Sequence, residues 1–274
     1  MANDPALTDL EELEALLGSI GESASVGIAL SGGVDSMTLA AVAHSALGDR
    51  ATMYHAQSPA VPGEATARVK ATAAARGWRL ELIDAGEFGR AAYLANPVDR
   101  CFHCKTSLYG ALRARTAAQL LSGTNLDDLG EYRPGLRAAD DHGVRHPYVE
   151  IGANKEAVRA MARALGLGDV AELPAAPCLS SRIETGIAID PLMLSLVHAS
   201  ERLIAAAVAP RTVRCRVRAE GVVVELDAAA LEAIEPQRRA ELAEVVGALF
   251  AGLGPARRVS FAPYRNGSAF LVRA

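Results

Sequence analysis

Apolar and polar positions divide the chain into two grammars. An amphipathic helix is predicted over Asp9–Ile20, and the apolar run Val26–Leu30 reads as a buried parallel strand. A polar hexapeptide, Ser31-Gly32-Gly33-Val34-Asp35-Ser36, leads into a helix over Met37–Leu47. Ala51–Ala56 and Arg79–Asp84 read as strands, with a helix over Glu64–Arg76 between them. A helix over Lys105–Thr116, a short strand Gln119–Ser122 and a further strand His146–Ile151 follow. Asn154 then caps a helix that reaches Leu165 and stops at Gly166. This alternation predicts an α/β doubly wound parallel sheet with a ligand crevice at the carboxyl ends of its strands. From Pro191 the pattern changes to helix (to about Val208), hairpin (Val213–Arg218 and Val222–Asp227 about Glu220-Gly221), helix (Arg238–Phe250) and strand (Val259–Pro263). That order predicts a smaller C-terminal α+β domain, with a boundary near Glu184–Asp190, hence domains 1–185 and 186–274.

Composition adds limits. The chain has 274 residues, enough for a main domain and a smaller one. Aromatic residues make up only 4%, so Ala, Leu, Val and Ile must build the core. A net charge of −4 argues against a surface made for long nucleic acid, while leaving room for a local basic pocket. No run of 18 apolar residues predicts a membrane span, and the acidic start does not read as a signal peptide, so a cytoplasmic location is expected. Four cysteines in such a compartment point to metal binding or reactivity before disulfides.

The hexapeptide between strand and helix is the most informative feature. Its glycines let the backbone turn sharply toward an anion, and the helix N-terminus adds partial positive charge. Ser31 and Ser36 can donate from their hydroxyls, and Asp35 would meet a phosphate through Mg²⁺. The Walker pattern is absent. The bland alternative is a helix-capping turn, which the complete string after a buried strand outweighs.

Cys101-Phe102-His103-Cys104 precedes a helix, and Cys178 sits in the proline-flanked loop Pro177-Cys178-Leu179-Ser180-Ser181-Arg182. A C-x-x-C pair can hold two corners of a metal site or form a redox disulfide. With no second such pair for zinc, three loop cysteines fit a [4Fe–4S] cluster with one open iron better. Reduced thiols packed beside a helix are the alternative, and for Cys215, inside a strand, that alternative is preferred. The stretch from Ser122 to Gly135 suggests a crevice wall through Gly123, Thr124, Asn125, Asp128 and Arg133, with Asp127 or Asp128 able to contact a cation or ribose. Alone it also reads as an acidic solvated turn.

Together SGGVDS, NPVDRCFHCK, SGTNLDDLGEYRPGLRA and PCLSSRI resemble the LarE family of PP-loop sulfur transferases of nickel-pincer cofactor synthesis. The resemblance runs from about Ser25 to the segment Ala262–Ser268. It implies a PP-loop (adenine nucleotide alpha hydrolase-like) domain that uses ATP to adenylate a carboxylate of pyridinium-3,5-biscarboxylic acid mononucleotide and releases pyrophosphate. Sulfur then replaces the activated oxygen to give a thiocarboxylate. It implies Cys101, Cys104 and Cys178 as ligands of a cluster carrying an extra sulfide, or, second, Cys178 as a sacrificial sulfur donor. Arg182 would stabilise the adenylate's charge or lower the thiol pKa, unless it is a surface ion pair. Arg214, Arg216 and Arg218 alternate along a strand and would face one way, and Arg214 and Arg216 are candidates for the substrate's phosphate. Ala219-Glu220 departs from the family's histidine-containing turn here. Glu201 matches an acidic position involved with metal, and it also reads as an exposed helix charge. Homo-oligomerisation is a further implication.

Three rivals remain. A tRNA thiolase of the same superfamily would need a broad basic surface. An amidotransferase-type synthetase would need an ammonia-supplying half, and a non-catalytic ATP-binding sensor would keep the loop without the chemistry.

Overall fold

The computed structural model describes residues 5–130, 132–253 and 257–270. Two compact units emerge, residues 1–87 with 101–176, and residues 88–100 with 177–274.

In the first unit, α1 (Pro5–Ser23), β1 (Val26–Ala29), α2 (Val34–Leu47), β2 (Ala51–Ala56), α3 (Gly63–Arg76) and β3 (Arg79–Ile83) alternate as expected. The chain then passes through α4 (Ala91–Leu94), which belongs to the second unit. It returns as α5 (Arg100–Arg113), β4 (Gln119–Leu121), α6 (Pro134–Asp141), α7 (Pro147–Glu150) and α8 (Lys155–Ala164). The four strands pair in parallel in the order β3-β2-β1-β4. Period-2 alternation sorts their side chains onto two faces. Val26, Ile28, Ala51, Met53 and Leu121 join the apolar layer of α1, α2, α3 and α8. Tyr54, Ile83 and Leu120 join the layer of α5 and α6. Both faces are therefore covered, as a parallel sheet requires.

One expectation fails here. The strand expected over His146–Ile151 is the short helix α7, and pairing is confined to a single bridge from Leu121 to Arg145. Pro147 at the first helical position supplies no N–H for a ladder, and its fixed φ suits a helix start. Helix α5 also begins earlier than expected, so Cys101 and Cys104 lie on it and not in a loop ahead of it.

The second unit contains α9 (Pro191–Val208), β5 (Val213–Arg218), β6 (Gly221–Leu226), α10 (Ala228–Ala233), α11 (Pro236–Phe250) and β7 (Val259–Pro263). Strands β5 and β6 form the expected hairpin, with Ala219-Glu220 as its turn, and β7 adds in parallel beside β6. Helix α9 is long and apolar enough to cross a membrane by composition alone, yet it packs on β5 and carries a buried glutamate. Residues 88–100 form a strap built into this unit. Asn96 is fully buried at φ +53°, a left-handed value that asparagine tolerates. Its Nδ2 donates to the carbonyls of Glu184 and Ile187 (2.9 Å each) and Ile183 (3.3 Å), and its Oδ1 accepts from Arg100 at 2.7 Å. The Tyr93 hydroxyl lies 2.7 Å from that of Ser180, and Arg100 stacks 4.0 Å over the Phe270 ring.

Candidate functional site

The order β3-β2-β1-β4 places a topological switch between β1 and β4, because the chain runs from β1 through β2 to β3 on one side and then crosses back to form β4 on the other side of β1. Ligands of open α/β sheets gather at the carboxyl ends of such a strand pair. The two segments singled out from the sequence both follow those ends.

After β1, Gly32 adopts φ +85°, and a Cβ there would stand 3.0 Å from the Ala65 carbonyl oxygen. Only glycine accepts both conditions. The hydroxyls of Ser31 and Ser36 lie 3.0 Å apart, Ser36 Oγ accepts from the Ser31 N–H at 3.1 Å, and Ser36 Oγ donates to the Gly33 carbonyl at 3.2 Å. Helix α2 starts at Val34 with Gly33 as its N-cap and no side-chain cap, so its first N–H groups are directed out of the helix end.

After β4, Gly123 packs directly on this loop. A Cβ there would stand 2.8 Å from the Asp35 carbonyl carbon and 2.9 Å from the Ser36 nitrogen. Asn125 Nδ2 donates to Asp35 Oδ1 at 3.0 Å, and the Asn125 N–H donates to Asp128 Oδ2 at 3.1 Å. Asp128 pairs with Arg133 at 2.7 Å. Thr124 Oγ1 lies 3.2 Å from Ser122 Oγ, which contacts His146 Nδ1 at 2.8 Å. Ser31, Gly32, Gly33, Asp35, Ser36, Gly123, Thr124, Asn125, Asp128 and Arg133 thus belong to one neighbourhood in the first unit. Glu131, inside the same motif, lies outside the described residues.

The reading of the sequence missed Lys155, whose Nζ grips Asp35 at 2.6 and 2.7 Å. Lys155 is the first residue of α8, where the helix dipole disfavours a cation. A lysine there signals a nearby anion, and here there are two: Asp35 at its ammonium and Asp127, which accepts its N–H at 3.1 Å. Tyr148 was missed as well. It donates to the Asp35 carbonyl at 3.0 Å, and burial, reinforced by the Asp35 charge, keeps its phenol protonated. Burial also lowers the His146 pKa, which favours a neutral ring. A half-exposed carboxylate with a cation already beside it suits a divalent ion and phosphate by exchange of partners, and hard oxygen donors fit Mg²⁺.

The cysteines are thiols outside any disulfide. Cys101 and Cys104 lie three residues apart in the first turns of α5, so both stand on one helix face, half-buried. Cys178, also half-buried, precedes the 3₁₀ turn Leu179–Arg182 in the second unit. Such soft ligands at the start of a helix suit an iron–sulfur cluster chemically. Among the described residues no group of three His, Cys, Asp or Glu side chains is arranged to hold a metal ion.

Within the second unit the charged candidates are engaged, and Arg182, Glu201 and Arg216 are buried. Arg182 and Glu201 form a two-bonded ion pair of 2.9 and 3.2 Å, so neither is the surface charge that was the bland expectation. Arg216 pairs with Glu225 at 3.1 Å, and Arg218 with the same carboxylate at 3.0 Å. Arg214, Arg216 and Arg218 do share a face, since Arg214 pairs in register with Glu225. Arg214 is half-buried, its guanidinium 5.8 Å from the Tyr264 ring, and burial followed by the Arg182 charge lowers its pKa. Cys215 is fully buried, and burial pushes its thiol pKa far up, so it is inert packing.

A parallel sheet covered on both faces, with a glycine turn at its switch point, defines an α/β protein of the Rossmann type, consistent with a PP-loop-like domain. No protein-family model matches the chain. It belongs to the family of uncharacterized protein slr1717 of Synechocystis, to which it is 38% identical over 194 residues, spanning 69% of this chain and 72% of the relative. A more distant relative is the pyridinium-3,5-bisthiocarboxylic acid mononucleotide synthase of Lactiplantibacillus plantarum, 28% identical over 77% of this chain and 78% of that one. Uncharacterized protein MJ0830 of Methanocaldococcus jannaschii is 30% identical over about a third of each chain.

Proposed function

We propose that this chain is an ATP-dependent sulfur transferase of the LarE family. In this reading it adenylates a carboxylate of pyridinium-3,5-biscarboxylic acid mononucleotide, releases pyrophosphate and converts the carboxylate to a thiocarboxylate. The observation that carries the reading is the joint of Gly123 against Asp35 at the sheet's switch point, in a chain related to a synthase named for that bisthiocarboxylic product.

Ser31, Gly32, Gly33 and Ser36 would take the nucleotide's phosphates on backbone and hydroxyl donors, and Asp35 would hold Mg²⁺. Lys155, released from Asp35, would then be free to meet the charge of the leaving pyrophosphate. Arg214, half-buried on β5, is the candidate for the substrate's own phosphate. A carboxylate is a poor acyl donor until ATP turns its oxygen into a leaving group, and a sulfur nucleophile completes the exchange. Cys101, Cys104 and Cys178 would hold a [4Fe–4S] cluster, and such a group would supply sulfide-level sulfur for that exchange. The second route takes the sulfur of Cys178 itself.

Anaerobic incubation with ATP, Mg²⁺ and the bis-acid mononucleotide, followed by mass spectrometry, is expected to give oxygen-to-sulfur exchange with pyrophosphate release. Asp35→Asn should abolish pyrophosphate release, whereas Cys178→Ala should retain it and lose the exchange. Absence of substrate-dependent pyrophosphate release would favour a nucleotide sensor. An iron-free active enzyme whose Cys178 loses its sulfur would select the sacrificial route.

A further inference from the structure

Two buried carboxylates and two buried arginines converge on the short turn that follows Cys178. Glu201 of α9 accepts from Arg182 Nε (2.9 Å) and Nη2 (3.2 Å), and from the Cys215 N–H (3.0 Å) on the outer edge of β5. The same guanidinium turns its Nη1 to the carbonyls of Pro177 (2.5 Å) and Cys178 (3.2 Å) and to Ser181 Oγ (3.0 Å). A second clamp acts on the same turn: Glu225 holds Arg216 Nε at 3.1 Å, and Arg216 Nη1 donates to the Ser181 carbonyl at 3.0 Å.

The arithmetic of donors decides what Arg182 does. Its Nε and Nη2 serve Glu201, and both hydrogens of Nη1 serve three oxygens of residues 177–181. With a side chain only 4% exposed, it has little left for a charge that develops elsewhere. Nor is its pairing an obvious gain in stability, because desolvation offsets most of the attraction in a buried ion pair. What the pair supplies is geometry. A planar fork anchored on one carboxylate fixes the two peptide planes that flank the Cys178 α-carbon.

We propose that Glu201 and Arg182 are a positioning pair that sets the direction in which Cys178 presents its thiol, with Glu225 and Arg216 as a second clamp. Glu201 then acts through Arg182 and not as a cation ligand. The functional consequence rests on the reading of Cys178 as the sulfur-handling residue, while the structural consequence does not.

The test uses the full-length protein and two variants. Arg182→Lys keeps the charge but loses the fork. The double variant Arg182→Met with Glu201→Leu removes both charges at once, which is the replacement a buried pair tolerates best. Hydrogen exchange of the segment 177–183, read by mass spectrometry, is expected to quicken at least tenfold in both variants, with exchange in β6 unchanged. Sulfur transfer should fall about tenfold or more, while substrate-dependent pyrophosphate release stays within twofold of the parent. Unchanged exchange in segment 177–183 of a folded variant would overturn the pair's role. Equal losses of pyrophosphate release and sulfur transfer would overturn positioning in favour of general support of the fold. If the parent makes no thiocarboxylate, the exchange measurement still decides the structural claim, and only the function proposed above fails.

Discussion

At the scale of single residues, the protein places polar side chains where burial changes their behaviour. His55 bridges the Leu30 carbonyl (2.8 Å) and Thr66 Oγ1 (2.9 Å) directly beneath the glycine turn, and burial lowers its pKa. His146 is lowered for the same first reason. Both therefore bind protons more readily in the unfolded chain than in the folded one. The sign follows: their contribution to stability is complete above the ordinary histidine value of about 6.5 and declines as pH falls below it. Thermal melts at pH 7.5 and 5.5 are expected to show a lower midpoint at pH 5.5. His55→Gln, which keeps a donor and an acceptor without a titrating ring, should narrow the difference. Lys155 teaches a related lesson. A cation at the first position of a helix opposes the dipole, and only the two carboxylates beside it make the placement sensible.

At the scale of elements, an apolar run announces β1, because a central parallel strand covered on both faces has no polar side to interrupt it. The glycine turn and the loop after β4 were legible because anion-cradling backbone needs particular residue types. Helix α7 was not legible as a helix: His146–Ile151 is short and carries Tyr, Val and Ile, which favour strands, and only tertiary pairing reveals that the ladder stops at Arg145. The burial of Glu201 was equally hidden, since nothing local in α9 distinguishes an exposed glutamate from one facing β5. A close joint between elements is Gly123 against the start of α2. Gly123→Ala would force backbone apart at contacts of 2.8 to 3.0 Å, with no flexible side chain to yield. A cost of roughly 1–3 kcal/mol is expected, measured by urea denaturation. Nucleotide affinity, measured by calorimetry, should fall with it, since the crevice wall must move.

At the scale of the whole molecule, the smaller unit is discontinuous in sequence. It draws on residues 88–100 as well as 177–274, so the C-terminal stretch is incomplete by itself. Three carbonyls, at Ile183, Glu184 and Ile187, depend on the Asn96 side chain, and Ile189 N–H depends on the Leu94 carbonyl. Leaving such buried groups unpaired costs about 1–3 kcal/mol each. A fragment of residues 177–274 is therefore expected to lack a cooperative melt by circular dichroism. Joining residues 88–100 to its N-terminus by a flexible linker should restore one.

The strap also carries a timetable. Ribosomes deliver the chain at about 5–20 residues per second, so Asn96 and Arg100 emerge on the order of ten seconds before Phe270, whose ring covers the Arg100 guanidinium. Closure of the smaller unit consequently comes late relative to the synthesis of its strap, whatever the larger sheet has done by then. A nascent chain stalled before Phe270 would hold its strap without a lock.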